Sequence, residues 1–165
     1  MEPNYQEAKN SAEELLKQYD IKEPVVPIFD IAIKEGIELK FVKMPEQLKN
    51  VAGFIDSVKK MMFVNKEDSP NRQTFTVAHE LAHHILKHET DKYEILLRMT
   101  TSIEKNPLEK EANCFAANIL VPYKMLSKIM RKYSLSRFDI KALAKIFGVS
   151  EELMRYRLQS TKYDC

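Results

Sequence analysis

The stretch TFTVAHELAHHILKHE, residues 74–89, carries all four histidines of the chain. Within it, His79-Glu80-Leu81-Ala82-His83 sets two histidines four positions apart. On a helix such residues share one face, one turn above the other. Two imidazoles placed this way can grip a single metal ion, and zinc favours nitrogen ligands of this kind. Glu80 lies beside them and can reach a water at the metal, where it would serve as general base. Phe75, Ala82 and Leu86 flank the pair, which is therefore expected to look inward. A buried histidine pair beside an acid is costly without a cation. His84 points about 100° away from His83 around the helix. His88 is expected roughly opposite His79. Both are read as surface or helix-end residues, with His88 suited to the negative end of the helix dipole.

A catalytic zinc commonly takes three protein ligands and keeps one position open. The chain has no fifth histidine, so the third ligand is expected to be Asp, Glu or Cys. The next helix, opened by Pro107, offers Glu109, Glu111 and Cys114. Glu111 shares a face with Phe115, Asn118 and Ile119, where a carboxylate is out of place unless something positive awaits it. That reasoning selects Glu111. Glu109 falls on another side and reads as a solvated first-turn acid that suits the helix dipole. Cys114 reads as packing. Both stay open as alternatives.

Outward from these two helices, the chain reads as α+β. A polar helix over 4–19 carries an apolar stripe at Ala8, Ala12, Leu15, Leu16 and Tyr19. The prolines of EPVVP break it, and a short helix follows, stopped by Gly36. IELKFV (37–42) alternates as a strand; VAGFID (51–56) and KMMFVN (60–65) read as a hairpin, giving a small antiparallel sheet. The metal-motif helix is expected from Pro70 to about His88, and residues 90–106 are polar and give no clear pattern. After Pro122, helices are expected over about 122–132, 137–146 and 150–159, with Gly148 at a bend and Ser150 as an N-cap. This divides the chain into residues 1–122, which hold the metal motif, and a helical lobe over 123–165.

Of the 165 residues, 44% are hydrophobic and 30% charged, enough apolar material for one core. A net charge of +2 does not by itself argue for nucleic acid or membrane. The two cysteines, Cys114 and Cys165, are distant in sequence, so a disulfide framework is not expected. With no apolar segment of spanning length or signal-like start, a cytoplasmic location is expected.

The paired motifs resemble the ImmA/IrrE family of bacterial and phage metallopeptidases. Its arginine-led R-x-x-F-T-x-A-H-E-x-x-H pattern meets Arg72, Phe75, Thr76, Ala78, His79, Glu80 and His83. Its E-A-N-x-F-A-A-x-L-L-x-P pattern meets Glu111, Ala112, Asn113, Phe115, Ala116, Ala117, Leu120 and Pro122, with Ile119 where leucine is usual. The hairpin upstream and the helix-turn-helix-like piece downstream also match, so the resemblance covers about residues 20–160. It implies a zincin-like fold, a Zn2+ cofactor held by His79, His83 and Glu111, and Glu80 as the catalytic residue. In one respect the chain departs from related zinc peptidases, which often place an acid four residues after the ligand glutamate; here that position is Phe115. The resemblance also implies a substrate, a helix-turn-helix repressor of the phage type. Its cleavage would relieve repression in a mobile element or a stress response. An alternative role is partnership with such a regulator in a toxin–antitoxin-like pair.

A rival reading places DNA on the C-terminal lobe. Between Lys124 and Lys162 there are ten Lys or Arg against three acids. A helix carrying Glu151, Glu152, Arg155 and Arg157 could then read a groove. Two acids at its start would face phosphates, and Leu153, Met154, Tyr156 and Leu158 suggest packing or protein docking instead. A metal-binding scaffold without turnover is the remaining reading, and it leaves Glu80 unexplained. No residue is singled out to stabilise the oxyanion; Tyr93, Tyr156, Arg155 and His84 are the candidates.

Overall fold

A computed structural model describes residues 2–88, 106–160 and 165. Helix α1 (Tyr5–Gln18) is N-capped by Asn4, whose side chain accepts from the Glu7 N–H, and it buries Ala8, Ala12, Leu15 and Leu16 as the stripe predicts. Helix α2 (Ile28–Lys34) precedes strand β1 (Glu38–Val42). Strands β2 (Gly53–Asp56) and β3 (Met61–Asn65) form the expected hairpin. The sheet is mixed, in the order β1-β3-β2: β2 pairs with β3 antiparallel, and β1 joins β3 parallel with Glu38 opposite Met61. The central strand is therefore β3, and β2 is an outer strand.

Helix α3 (Pro70–Ile85) carries the histidine motif. Ser69 caps its start and Pro70 occupies the first turn, where no N–H is needed. Helix α4 (Pro107–Leu120) is capped by Asn106 and also begins with proline. It lies against α1 on one side and α3 on another, and α3 in turn packs on β2, β3 and α2. Three further helices follow: α5 (Tyr123–Lys132), α6 (Ile140–Phe147) and α7 (Glu151–Gln159). Helix α6 starts later than its periodicity suggests because the Asp139 carboxylate turns back onto the Ser136 N–H and hydroxyl, both at 2.7 Å. Gly148 takes a left-handed φ of 65° at the bend, and the Ser150 hydroxyl accepts from the Leu153 N–H, as the sequence predicts. One cluster of buried apolar side chains runs from Ala8 to Met154, through Ile55, Met62, Leu81, Phe115 and Phe147.

Two side chains fasten α4 to the C-terminal residues. The Arg157 guanidinium is buried and donates to the Val121 carbonyl at 2.9 Å and to Asn118 Oδ1 at 2.8 Å. Cys114, buried in α4, is disulfide-paired with Cys165, their Cα atoms 5.2 Å apart. Separation in sequence misled here, because the end of the chain returns to α4.

Gly53 sets how closely the outer strand meets α3. A Cβ at this position would stand 2.5 Å from the Thr76 methyl and 2.6 Å from the Phe63 carbonyl oxygen. The second obstacle is backbone and cannot rotate away. Gly53→Ala is expected to destabilise the fold by about 1–3 kcal/mol, the usual range for overpacking. Urea denaturation measures this; an unchanged midpoint would mean that β2 retreats freely from α3.

Candidate metal centre

Donor atoms of three residues converge between α3 and α4. His79 Nε2 stands 3.0 Å from Glu109 Oε2 and 3.3 Å from His83 Nε2, and His83 Nε2 is 3.4 Å from Glu109 Oε1. Ligands at about 2.0–2.2 Å from a tetrahedral cation would stand about 3.3–3.6 Å apart, so these contacts are close to the right size. The hydrogens also fit. His79 Nδ1 lies 2.9 Å from Asn113 Oδ1, which can only accept, so Nδ1 carries the hydrogen and Nε2 turns a lone pair inward. With both rings neutral and their Nε2 lone pairs turned inward, two nitrogens and a carboxylate at one buried point repel each other unless a proton or a metal ion lies between them. Among the described residues, His79, His83 and Glu109 are the group of donors close enough to share an ion.

The glutamate in this group is Glu109; Glu111, selected from the sequence, is not in it. The selection assumed that α4 has one buried face and one solvated face. Instead α4 is enclosed by α1 and α3, and both glutamates are buried. Glu109 and Asn113, four apart, form the face toward α3 and both meet His79. Glu111 turns elsewhere: its Oε2 is 2.9 Å from His88 Nε2, and its Oε1 accepts from the Asn4 N–H at 2.7 Å. A signal for Glu109 was present. Counting four residues on from Glu109 reaches Asn113, an acceptor able to orient a ligand imidazole, whereas four on from Glu111 reaches only Phe115. Cys114, the other alternative, is held in its disulfide.

His88 also departs from expectation. It is buried, and its Nδ1 lies 2.9 Å from His83 Nδ1. Helix α3 ends at Ile85, and Lys87 adopts a positive φ of 53°. The His88 N–H then bonds the His83 carbonyl and the Lys87 N–H the His84 carbonyl, the paired bonds of a Schellman turn. This turn folds His88 back under the helix. Lysine at the left-handed position gives no glycine signal, so the sequence reading ran the helix straight on to His88. His84 is half-buried on another side of α3, where Lys60 and Glu35 act on it and burial lowers its pKa.

A cleft of about 690 Å³ is lined by His79 and Glu109 of the donor group, by Glu80 and Asn113 beside them, by Gly53 and Phe54 of the outer strand, and by Ser150 and Glu152 at the start of α7. None of Tyr156, Arg155 and His84 lines the cleft, and Tyr93 lies outside the described residues.

Residues 34–159 match the model of the IrrE N-terminal-like domain, a peptidase family. The chain belongs to this family. Its curated relatives include the radiation response metalloprotease IrrE of Deinococcus radiodurans, 30% identical over 127 residues, and that of Deinococcus deserti, 27% identical over 128. These alignments take in 74% and 75% of this chain but 37% and 43% of the relatives, so the chain spans less than half of either. A solved structure described as a Mycobacterium tuberculosis transcriptional regulator shares the fold, with a TM-score of 0.65 at 17% identity, covering 97% of this chain and 49% of that one.

The IrrE-like domain presents its donor triangle in a field that favours positive charge. Burial disfavours a proton on His79, but contact with Glu109 and the charges of Glu80 and Glu109 outweigh it, and the pKa lies above the ordinary 6.5. The same carboxylates would attract a divalent cation. No described helix is long and apolar enough to cross a membrane.

Proposed function

We propose that this chain is a zinc-dependent endopeptidase with His79, His83 and Glu109 as metal ligands and Glu80 as general base. The observation that carries this reading is the meeting of two imidazole nitrogens and a carboxylate, with contacts of 3.0–3.4 Å, beside a cleft that His79, Glu80 and Glu109 line. Two imidazoles and one carboxylate form a donor set that zinc takes readily. When bound, zinc would polarise the scissile carbonyl and acidify water. Asn113 holds the His79 ring by its Nδ1–H, which keeps Nε2 directed at the site. Glu80 takes the proton of the attacking water on its carboxylate and returns it to the leaving amine.

An extended peptide can be held by adding to the side of β2 that no strand among the described residues pairs with, beside the cleft. Strand β3, beside it, is occupied on both edges. Backbone pairing tolerates many sequences, so selectivity has to come from elsewhere. The C-terminal helices are suited to it, since Ser150 and Glu152 line the cleft and Lys141 and Lys145 are exposed on α6. A helix-turn-helix transcriptional repressor is the proposed substrate, its cleavage relieving repression in a mobile element or a stress response. The family resemblance supports that choice.

The test is cleavage of a purified repressor of this type, with casein as the non-specific control and a zinc chelator added and then reversed. The double reversal Lys141→Glu with Lys145→Glu is expected to raise KM more than it lowers kcat, with zinc content unchanged. Efficient casein digestion, or unaltered repressor kinetics in the reversal variant, would contradict the assigned role of the C-terminal helices. Direct DNA contact by α7 is the weaker reading: Arg157 is buried and spent on Val121 and Asn118, while exposed Glu151 and Glu152 begin the helix.

A further inference from the structure

Beyond the donor triangle, a buried chain of hydrogen bonds runs outward from His83. His83 Nδ1 meets His88 Nδ1 at 2.9 Å, His88 Nε2 meets Glu111 Oε2 at 2.9 Å, and Glu111 Oε1 accepts from the Asn4 N–H at 2.7 Å. We infer that His88 and Glu111 are positioning residues that fix the tautomer and aim of the His83 imidazole through this chain. The inference rests on the reading of His79, His83 and Glu109 as the metal ligands.

Each link has one consistent direction. His83 Nε2 faces the other donors and must offer a lone pair there, so its hydrogen sits on Nδ1. That hydrogen is donated to His88 Nδ1, which accepts. His88 then carries its own hydrogen on Nε2 and donates it to the Glu111 carboxylate. The second carboxylate oxygen is filled by the Asn4 N–H. Reversing His83 would turn an N–H into the donor triangle and leave its Nδ1 facing His88 as a bare acceptor. To answer it, His88 would have to move its own hydrogen and set a lone pair against Glu111. The carboxylate at the far end thus biases both rings toward the tautomer that presents Nε2 to a cation.

The two proposed imidazole ligands are therefore held by different means. His79 leans on a neutral amide, Asn113, whereas His83 leans on an imidazole backed by a carboxylate. The backing depends on two distant pieces of chain. The left-handed turn at Lys87 returns His88 beneath α3, and docking of α1 on α4 brings the Asn4 N–H to Glu111. Both glutamates of LEKEA thus act on the site from one helix, Glu109 directly and Glu111 through His88 and His83.

The experiment measures zinc affinity of the full chain by competition with a chromophoric chelator, for the wild type, His88→Leu, His88→Gln, Glu111→Gln and Glu109→Ala. Glutamine at 88 can accept from His83 with its oxygen and donate to Glu111 with its amide; leucine fills space and does neither. Glutamine at 111 sets an NH2 against one of the two donors that the carboxylate accepts. The expected result is affinity about 10–100-fold weaker in His88→Leu and Glu111→Gln, with His88→Gln within a few-fold of the wild type. Circular dichroism of the metal-free proteins checks the fold, and Glu111→Gln carries the test if His88→Leu does not fold. Wild-type affinity in the Glu111→Gln protein, or equal losses in His88→Gln and folded His88→Leu, would overturn the inference. Glu109→Ala separates the two levels. If it keeps full zinc affinity, the metal-centre reading fails. If it loses zinc while the His88 and Glu111 variants bind as the wild type does, only the positioning role fails.

Discussion

The Glu109→Ala protein is expected to lose its zinc, while Glu111→Ala still fills when zinc is in excess. The wild type should carry about one zinc per chain. Glu109 supplies the oxygens that stand 3.0 and 3.4 Å from the two imidazole nitrogens; without them two neutral donors remain. Loss of a direct ligand removes both a bond and the negative charge that balances the cation. Loss of Glu111 removes only the backing of His88, an effect of about 10–100-fold in affinity. Elemental analysis after gel filtration, with and without added zinc, distinguishes the two. Retention of zinc by Glu109→Ala together with its loss from Glu111→Ala under both conditions would return the assignment to the choice made from sequence.

Glu80→Gln is expected to keep the metal and the fold and to lose peptide cleavage by about 10²–10⁴-fold. Glutamine matches the side chain in size but cannot take a proton from water at neutral pH. The loss should fall on kcat, because Glu80 acts on the attacking water and contributes little to holding the peptide. Single-turnover cleavage of the repressor, alongside zinc analysis of the same sample, measures both. Wild-type turnover in this variant would remove Glu80 from the chemistry.

The spacing of His79 and His83 already placed them on one helix face, and the apolar residues beside them gave the inward direction. What the sequence left obscure depends on partners far along the chain. Glu109 and Glu111 are two residues apart on a helix, so both look plausible until it is known that α1 covers one side of α4 and α3 another. The Asn113 position favoured Glu109, but its meaning depends on which imidazole it meets. His88 was hidden by Lys87, which takes a left-handed turn without the glycine that would announce it. The hairpin was legible from alternation and its short connection. The parallel pairing of β1 with β3 was not, because alternation fixes the faces of a strand and says nothing of its neighbour. Arg157, which the DNA reading would turn toward a groove, is an internal tie to α4.

Anomalous diffraction at the zinc absorption edge, from crystals of the purified full chain, tests the metal centre most directly. A single strong peak is expected between α3 and α4, about 2.0–2.2 Å from His79 Nε2, His83 Nε2 and a Glu109 oxygen, with Glu111 hydrogen-bonded to His88 and outside the coordination sphere. A peak bound by Glu111, or no peak at these three residues in zinc-saturated crystals, would contradict it.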